Sequence, residues 1–158
     1  MADETRNVKV SIEDYFDEQL ATEAAIDFQG TEFKTEDVTE WFEPRLLGRS
    51  SVPSRRSART EFWTFSVNCF TQTPTETIHR VWELVDAVLG KFAQLDLAIL
   101  NYSDTQQELF RLRFDEGDVN VVPNASRTAA GFRTADKQIN TTLLLQQVNV
   151  TFSAALIT

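Results

Sequence analysis

A run of alternating residues, a stop and an apolar stripe follow one another in the middle of this chain, and together they leave few folds open. From Phe62 to Thr71, Trp63, Phe65, Val67 and Cys69 fall on one face while Thr64, Ser66 and Asn68 fall on the other, the period of a half-buried strand. Thr73-Pro74-Thr75-Glu76 follows, with Thr73 placed to cap, Pro74 suited to a first helical turn and Glu76 where a capping box needs its carboxylate. Behind it Ile78, Val81, Trp82, Val85, Leu89 and Phe92 recur at helical spacing, and this stripe predicts a helix laid on the strand's apolar face with Trp82 in the core.

The remaining segments extend that unit. Ser11 is placed to cap a helix running to about Ala25, with Ile12, Tyr15, Phe16, Leu20 and Ala24 inward and acids between them. Ile26 to Phe28 and Val38 to Leu47 read as strands, and Pro44 marks an edge or a bulge in the second. Leu95 to Leu100 is an apolar run, and Phe110, Leu112 and Phe114 alternate with Arg111 and Arg113. Asp115 to Asp118 reads as a turn, Val119 to Val122 as a short strand ending at Pro123. The longest strand closes the chain, with Leu144, Gln146, Val148, Val150, Phe152, Ala154 and Leu156 on one face. Two stretches, about 48–58 and 124–138, show no periodicity and read as mobile loop arms. The expected architecture is a single α+β domain: a mostly antiparallel or mixed sheet, two main helices packed on it, and an acidic segment at residues 1–10.

Composition narrows function more than it identifies it. With 158 residues, 42% of them hydrophobic, the chain is of one-domain size and ordinary globular make-up. It opens without a basic and apolar leader and has no membrane-length apolar run, so a soluble protein made in a cytoplasm is expected. One Cys and one His leave no seat for a disulfide, a His-based triad or a zinc site of ordinary make-up. The five glycines form no phosphate-binding loop, and no cofactor is expected. His79 and Glu83 stand four apart, but off the apolar stripe, where solvated side chains are the simpler reading. Glu13, Asp14, Asp17 and Glu18 likewise suit the wet side of a helix.

Charge is segregated. Residues 1–43 carry 13 acidic and 3 basic side chains, residues 44–60 carry 5 basic and none acidic, and the rest carry 11 acidic and 7 basic. The net charge of −9 opposes general affinity for nucleic acid. The basic set Arg45, Arg49, Arg55, Arg56 and Arg59 is the sharpest candidate contact surface, suited to an acidic surface that is either a neighbouring copy of the chain or passing DNA. Arg127, Phe132 and Arg133 in the second arm are candidates for contacts made on assembly.

The strand Phe62-Trp-Thr-Phe-Ser-Val-Asn-Cys-Phe70, the helix Glu76 to Phe92 and the closing strand Leu143 to Leu156 resemble the tail terminator, or tail completion, proteins of long-tailed bacteriophages of the lambda-like group. The resemblance covers Ser11 to Thr158. It implies a virion structural protein without catalytic, cofactor or metal residues. Such a subunit forms a hexameric ring on the head-proximal end of the tail tube, ends tube polymerisation and offers a docking surface to the head connector. Its partners would be further copies of itself, the tube protein and a neck protein, with DNA passing through the lumen. Other phage neck or head-tail joining components share the layout; a small carboxylate-dependent hydrolase and a binding module for a host protein are the readings from other classes. On the terminator reading, reversing the charge of Arg55 and Arg56 weakens assembly or docking and leaves the fold intact. Docking assays paired with circular dichroism check this, and undiminished docking would remove the segment from the mechanism.

Overall fold

A computed structural model describes residues 4–35, 38–53, 59–72, 77–103, 105–123, 127–128 and 144–157. The elements are α1 (Glu4–Leu20), β1 (Ala25–Ile26), β2 (Glu40–Pro53), β3 (Arg59–Gln72), α2 (Thr77–Phe92), β4 (Leu95–Leu100), β5 (Glu108–Pro123), β6 (Arg127–Thr128) and β7 (Leu144–Ile157). The strands form one mixed, curled sheet in the order β1-β2-β3-β7-β5-β4, with β6 also pairing β7. Only β1 against β2 is parallel among the described pairings. The α+β single-domain architecture read from the sequence is the one observed.

Alternation in β3 and β7 builds the core directly. Trp63 faces Ala154, Phe65 faces Phe152, Val67 faces Val150 and Cys69 faces Val148, all buried. α2 lies on this face through Val81, Leu84, Val85, Val88 and Phe92, an i, i+3, i+4, i+7, i+11 pattern. Trp82 is the correction. It is 41% exposed, because Val81 and Trp82 both share helical spacing with Val85, and only one of the two adjoining stripes meets the sheet. Leu89 is half-buried, and the Ile78 side chain and the expected capping residues Thr73 to Glu76 lie outside the described residues.

α1 begins earlier than the cap reading of Ser11 implied. Its buried residues Val8, Ile12, Phe16 and Leu20 recur at i+4, so most of the expected acidic segment 1–10 belongs to a core helix. Ser11 is interior to it, and its Oγ accepts the backbone N–H of Leu100 at 3.0 Å. One turn earlier, Asn7 Oδ1 accepts the N–H of Tyr102 at 3.1 Å. These side chains hold α1 to the end of β4. At its start Glu4 meets Arg49 of β2, so the first turns of α1 touch strands from both sides of the curled sheet.

The long arm expected at 48–58 is instead largely ladder. β2 and β3 stay paired from Glu40↔Thr71 to Pro53↔Arg59, and residues 54–58 lie outside the described residues. Asp115 to Asp118 is not a turn between strands. β5 runs through it, with Phe114↔Ala154 followed by Val119↔Phe152, so several residues of β5 bulge opposite Ser153. Turn-forming side chains serve equally where a strand must bulge. In the second expected arm, Arg127 and Thr128 pair with Leu145 and Leu144, and residues 129–143 lie outside the described residues.

Truncating Phe65 to Ala is predicted to cost about 3–5 kcal/mol, as for a large buried aromatic, and Trp82→Ala under about 1 kcal/mol, as for a surface site. Urea unfolding measures both, and equal losses would put Trp82 in the core.

Candidate assembly surface

β-bulges decide where the arginines go. Leu46 pairs with Phe65 and Gly48 with Thr64, which makes Leu47 an extra residue in β2. Side chains alternate along a strand, so in an unbroken β2 Arg45 and Arg49 share a face. With Leu47 inserted, Arg45 stands opposite Ser66 on the outer face and Arg49 opposite Trp63 on the core face. Arg45 and Arg49, which sequence spacing put on one basic surface, therefore stand on two sides of the sheet.

Both of these arginines are engaged within the subunit. Arg45 donates to the carbonyl oxygens of Asp27 at 2.6 Å and Pro44 at 2.7 Å, and lies 3.5 Å from the Asp27 carboxylate and 3.9 Å from that of Glu43. Arg49 donates to Glu61 at 2.6 Å and Glu4 at 3.3 Å and rides 5.3 Å from the centre of the Trp63 ring. Hydrogen bonding to Glu61, then the Glu4 charge, raises its pKa above an already high value. Arg59 stands opposite Pro53 and Arg127 opposite Leu145. Their side chains, and all of Arg55, Arg56, Phe132 and Arg133, lie outside the described residues.

Among the described residues the outer face of the sheet is a polar ladder with no helix over it. Asn149 donates to Ser66 Oγ at 2.6 Å and Asn68 Oδ1 at 2.8 Å, Thr151 donates to Asn149 at 2.6 Å, and Asn68 reaches Glu43 at 3.5 Å. The chain of bonds crosses β7, β3 and β2, consistent with the Ser, Thr and Asn that alternate with the core residues. Towards the other edge, Arg113 donates to both carboxylate oxygens of Asp96, at 2.8 and 3.1 Å.

The β2 edge is interrupted against a further strand, and the β4 edge is short and engaged at its end. Phe42 directs its carbonyl to β1, accepting the N–H of Asp27 at 2.8 Å, so by alternation Pro44 lies with its missing N–H on the open side of β2, the edge position expected of it. Pro53, opposite Arg59, falls on that side too. Two absent donors and a bulge between them interrupt any added ladder. β4 is six residues long, and α1 takes the N–H of its last residue through Ser11. Sequence spacing carried no sign of Asn7 and Ser11 in this role beyond their being four apart on one helix.

His79 is exposed, and Glu83 is engaged by Arg80 at 2.9 Å. Arg80 also grips Glu40 at 2.8 Å, tying α2 to β2. Cys69 is a buried core residue whose thiol is pushed up to about 12 by burial. Among the described residues no three His, Cys, Asp or Glu are grouped to hold a metal, and no helix is long and apolar enough to cross a membrane. A depression of about 350 Å³ is lined by Gln94, Arg113 and Asp115, with Arg113 already committed to Asp96.

No family model and no curated protein matches the chain. A solved structure of a protein bearing no functional name superposes with a TM-score of 0.52 at 14% identity, over 95% of this chain and 96% of that one. At that identity the likeness shows the fold alone.

The Arg113 hydrogen bonds hold the Asp96 carboxyl below the usual range. A depressed carboxyl stabilises the fold above about pH 4, its unfolded value, and that contribution disappears as pH falls through the folded value. NMR titration is expected to find Asp96 below an ordinary aspartate and Arg113→Gln to return it. An unchanged midpoint in the variant would contradict the assignment.

Proposed function

We propose that the chain is a tail terminator: a non-enzymatic virion subunit that closes as a ring, about hexameric, on the head-proximal end of a long-tailed phage tube. It stops tube growth and presents a docking surface to the head connector, with DNA passing through the lumen.

The observation that carries this reading is that the β2 edge is interrupted and the β4 edge is short and engaged at its end. A subunit that ends polymerisation must bind the last ring through one surface and lack the means to receive another. Here β2 withholds the N–H groups of Pro44 and Pro53, and α1 occupies the end of β4. The other features agree with a structural role. The described arginines of the basic segment are bound to carboxylates or carbonyls of their own subunit, the outer sheet face is a hydrogen-bonded ladder, and the net charge of −9 keeps the surface from adhering to passing DNA.

The test is polymerisation of the cognate tube protein with increasing amounts of this chain. Substoichiometric protein is expected to shorten the tubes and to appear as extra density on one end. Tubes of unchanged length and bare ends would contradict the proposal.

A further inference from the structure

β4 covers only the first part of its neighbour. It pairs with β5 from Leu95↔Phe114 to Leu100↔Glu108, while β5 runs on beside β7 from Val119 to Pro123. Among the described residues no strand lies on the far side of that second part. Antiparallel partners turn their backbone groups either both towards each other or both away. Phe42 faces β1, so its partner Cys69 faces β7, Val148 opposite Cys69 faces β3, and Pro123 opposite Val148 faces away from β7. By alternation Val121 and Val119 do the same. This margin of β5 therefore presents the N–H groups of Val119 and Val121 and the carbonyls of Val119, Val121 and Pro123, and the proline ends the row of donors.

A helix flank borders this margin. On one side of the buried stripe of α2, Arg80 reaches Glu40 of β2 and the Lys91 carbonyl accepts the Tyr15 hydroxyl of α1, so that flank looks towards β2 and α1. α2 lies over β3 and β7, and helical spacing puts Trp82 and Leu89 on the opposite flank, looking towards β5. Trp82 is exposed and Leu89 half-buried. From β5, Val119 and Val121 turn to the same inner side of the sheet and are likewise half-buried. Unpaired backbone groups thus run beside a half-covered apolar wall, the arrangement that receives an extended peptide as an added strand. Exposed carboxylates stand at its margins, Asp86 one turn after Trp82 and Asp115 on the bulge. Arg113, two residues before Asp115, is bound to Asp96.

We propose that Val119–Pro123 takes up an extended segment of a partner protein as an added strand, antiparallel to β5 as β4 is, with apolar residues facing Trp82 and Leu89 and basic residues alternating with them. The occupant is a strand because an extended backbone matches donors and acceptors that recur every second residue. Its inward side chains are apolar because Val119, Val121, Trp82 and Leu89 leave apolar surface on that side. The residues between them are basic because the flanking exposed charges, Asp86 and Asp115, are acids on a chain of net charge −9. Backbone pairing supplies the affinity and the apolar wall selects the sequence. The inference goes beyond the terminator reading and does not depend on it.

The probe is a synthetic peptide of about six residues, the length of an ordinary strand, alternating valine with lysine. Amide hydrogen exchange and tryptophan fluorescence read its binding. Trp41 and Trp63 are buried, so acrylamide quenching reports chiefly on Trp82. The peptide is expected to slow exchange at the Val119 and Val121 amides and to shield Trp82. In an antiparallel pair the inward-facing valines are the residues whose N–H groups meet β5. N-methylation of the valines is therefore expected to weaken binding about tenfold or more, and N-methylation of the lysines to leave it unchanged. Val121→Pro removes one outward donor without touching the β7 ladder and is expected to weaken the unmodified peptide, with circular dichroism confirming the fold. Equal binding of the two methylated peptides, or exchange at Val119 and Val121 that the peptide does not slow, overturns the site. So does protection of those two amides in the free protein equal to that of Val150 within the ladder. Tube shortening remains a separate assay, so the terminator reading stands or falls independently.

Discussion

Five phenylalanines hold the molecule together. Phe92, at the end of α2, lies 5.3 Å from Phe65 on β3, 5.3 Å from Phe114 on β5, 5.4 Å from Phe152 on β7 and 5.9 Å from Phe16 on α1. Both helices and three central strands thus meet at one set of rings, in tilted and edge-to-face arrangements that suit the aromatic quadrupole. Each such ring buries a large apolar area, and with Val8, Ile12 and Leu20 also buried the position of α1 follows from this core. Because Phe16 is seated there, Ser11 and Asn7 come to the end of β4 and Glu4 comes to Arg49.

What the cluster does not supply is done by polar groups of small individual effect. The pairs Arg49–Glu4, Arg80–Glu40 and Arg113–Asp96 are at least partly exposed, and such pairs contribute about 0–1 kcal/mol each. Their consequence is geometric. They tie the hairpin to α1, α2 to β2 and β4 to β5, and they leave the surface with little unsatisfied positive charge among the described residues.

Much of this was legible in the chain. The alternation Trp63 to Cys69 and Val148 to Ala154 placed the two central strands and their inward faces correctly, because a period of two over many residues admits one burial choice. What escaped was everything set by a single residue. Leu47 continues the apolar run Leu46-Leu47, so nothing marks it as the insertion that separates Arg45 from Arg49. Trp82 fits a helical stripe as well as Val81 does, and only the sheet distinguishes them. Ser11 has the chemistry of a cap, yet its hydroxyl serves Leu100, a partner 89 positions away that local reading cannot supply. Asp115 to Asp118 has turn composition inside a strand that bulges. The candidate surface was legible as a basic segment and not as a divided one.

The most direct test of the terminator account is the position of the chain in an intact particle. Virions carrying a short tag on this protein, labelled with gold and imaged by electron microscopy, are predicted to show one label site, where the tail tube meets the head. Label along the tube, at the distal tip, or absent from the particle altogether would contradict the account.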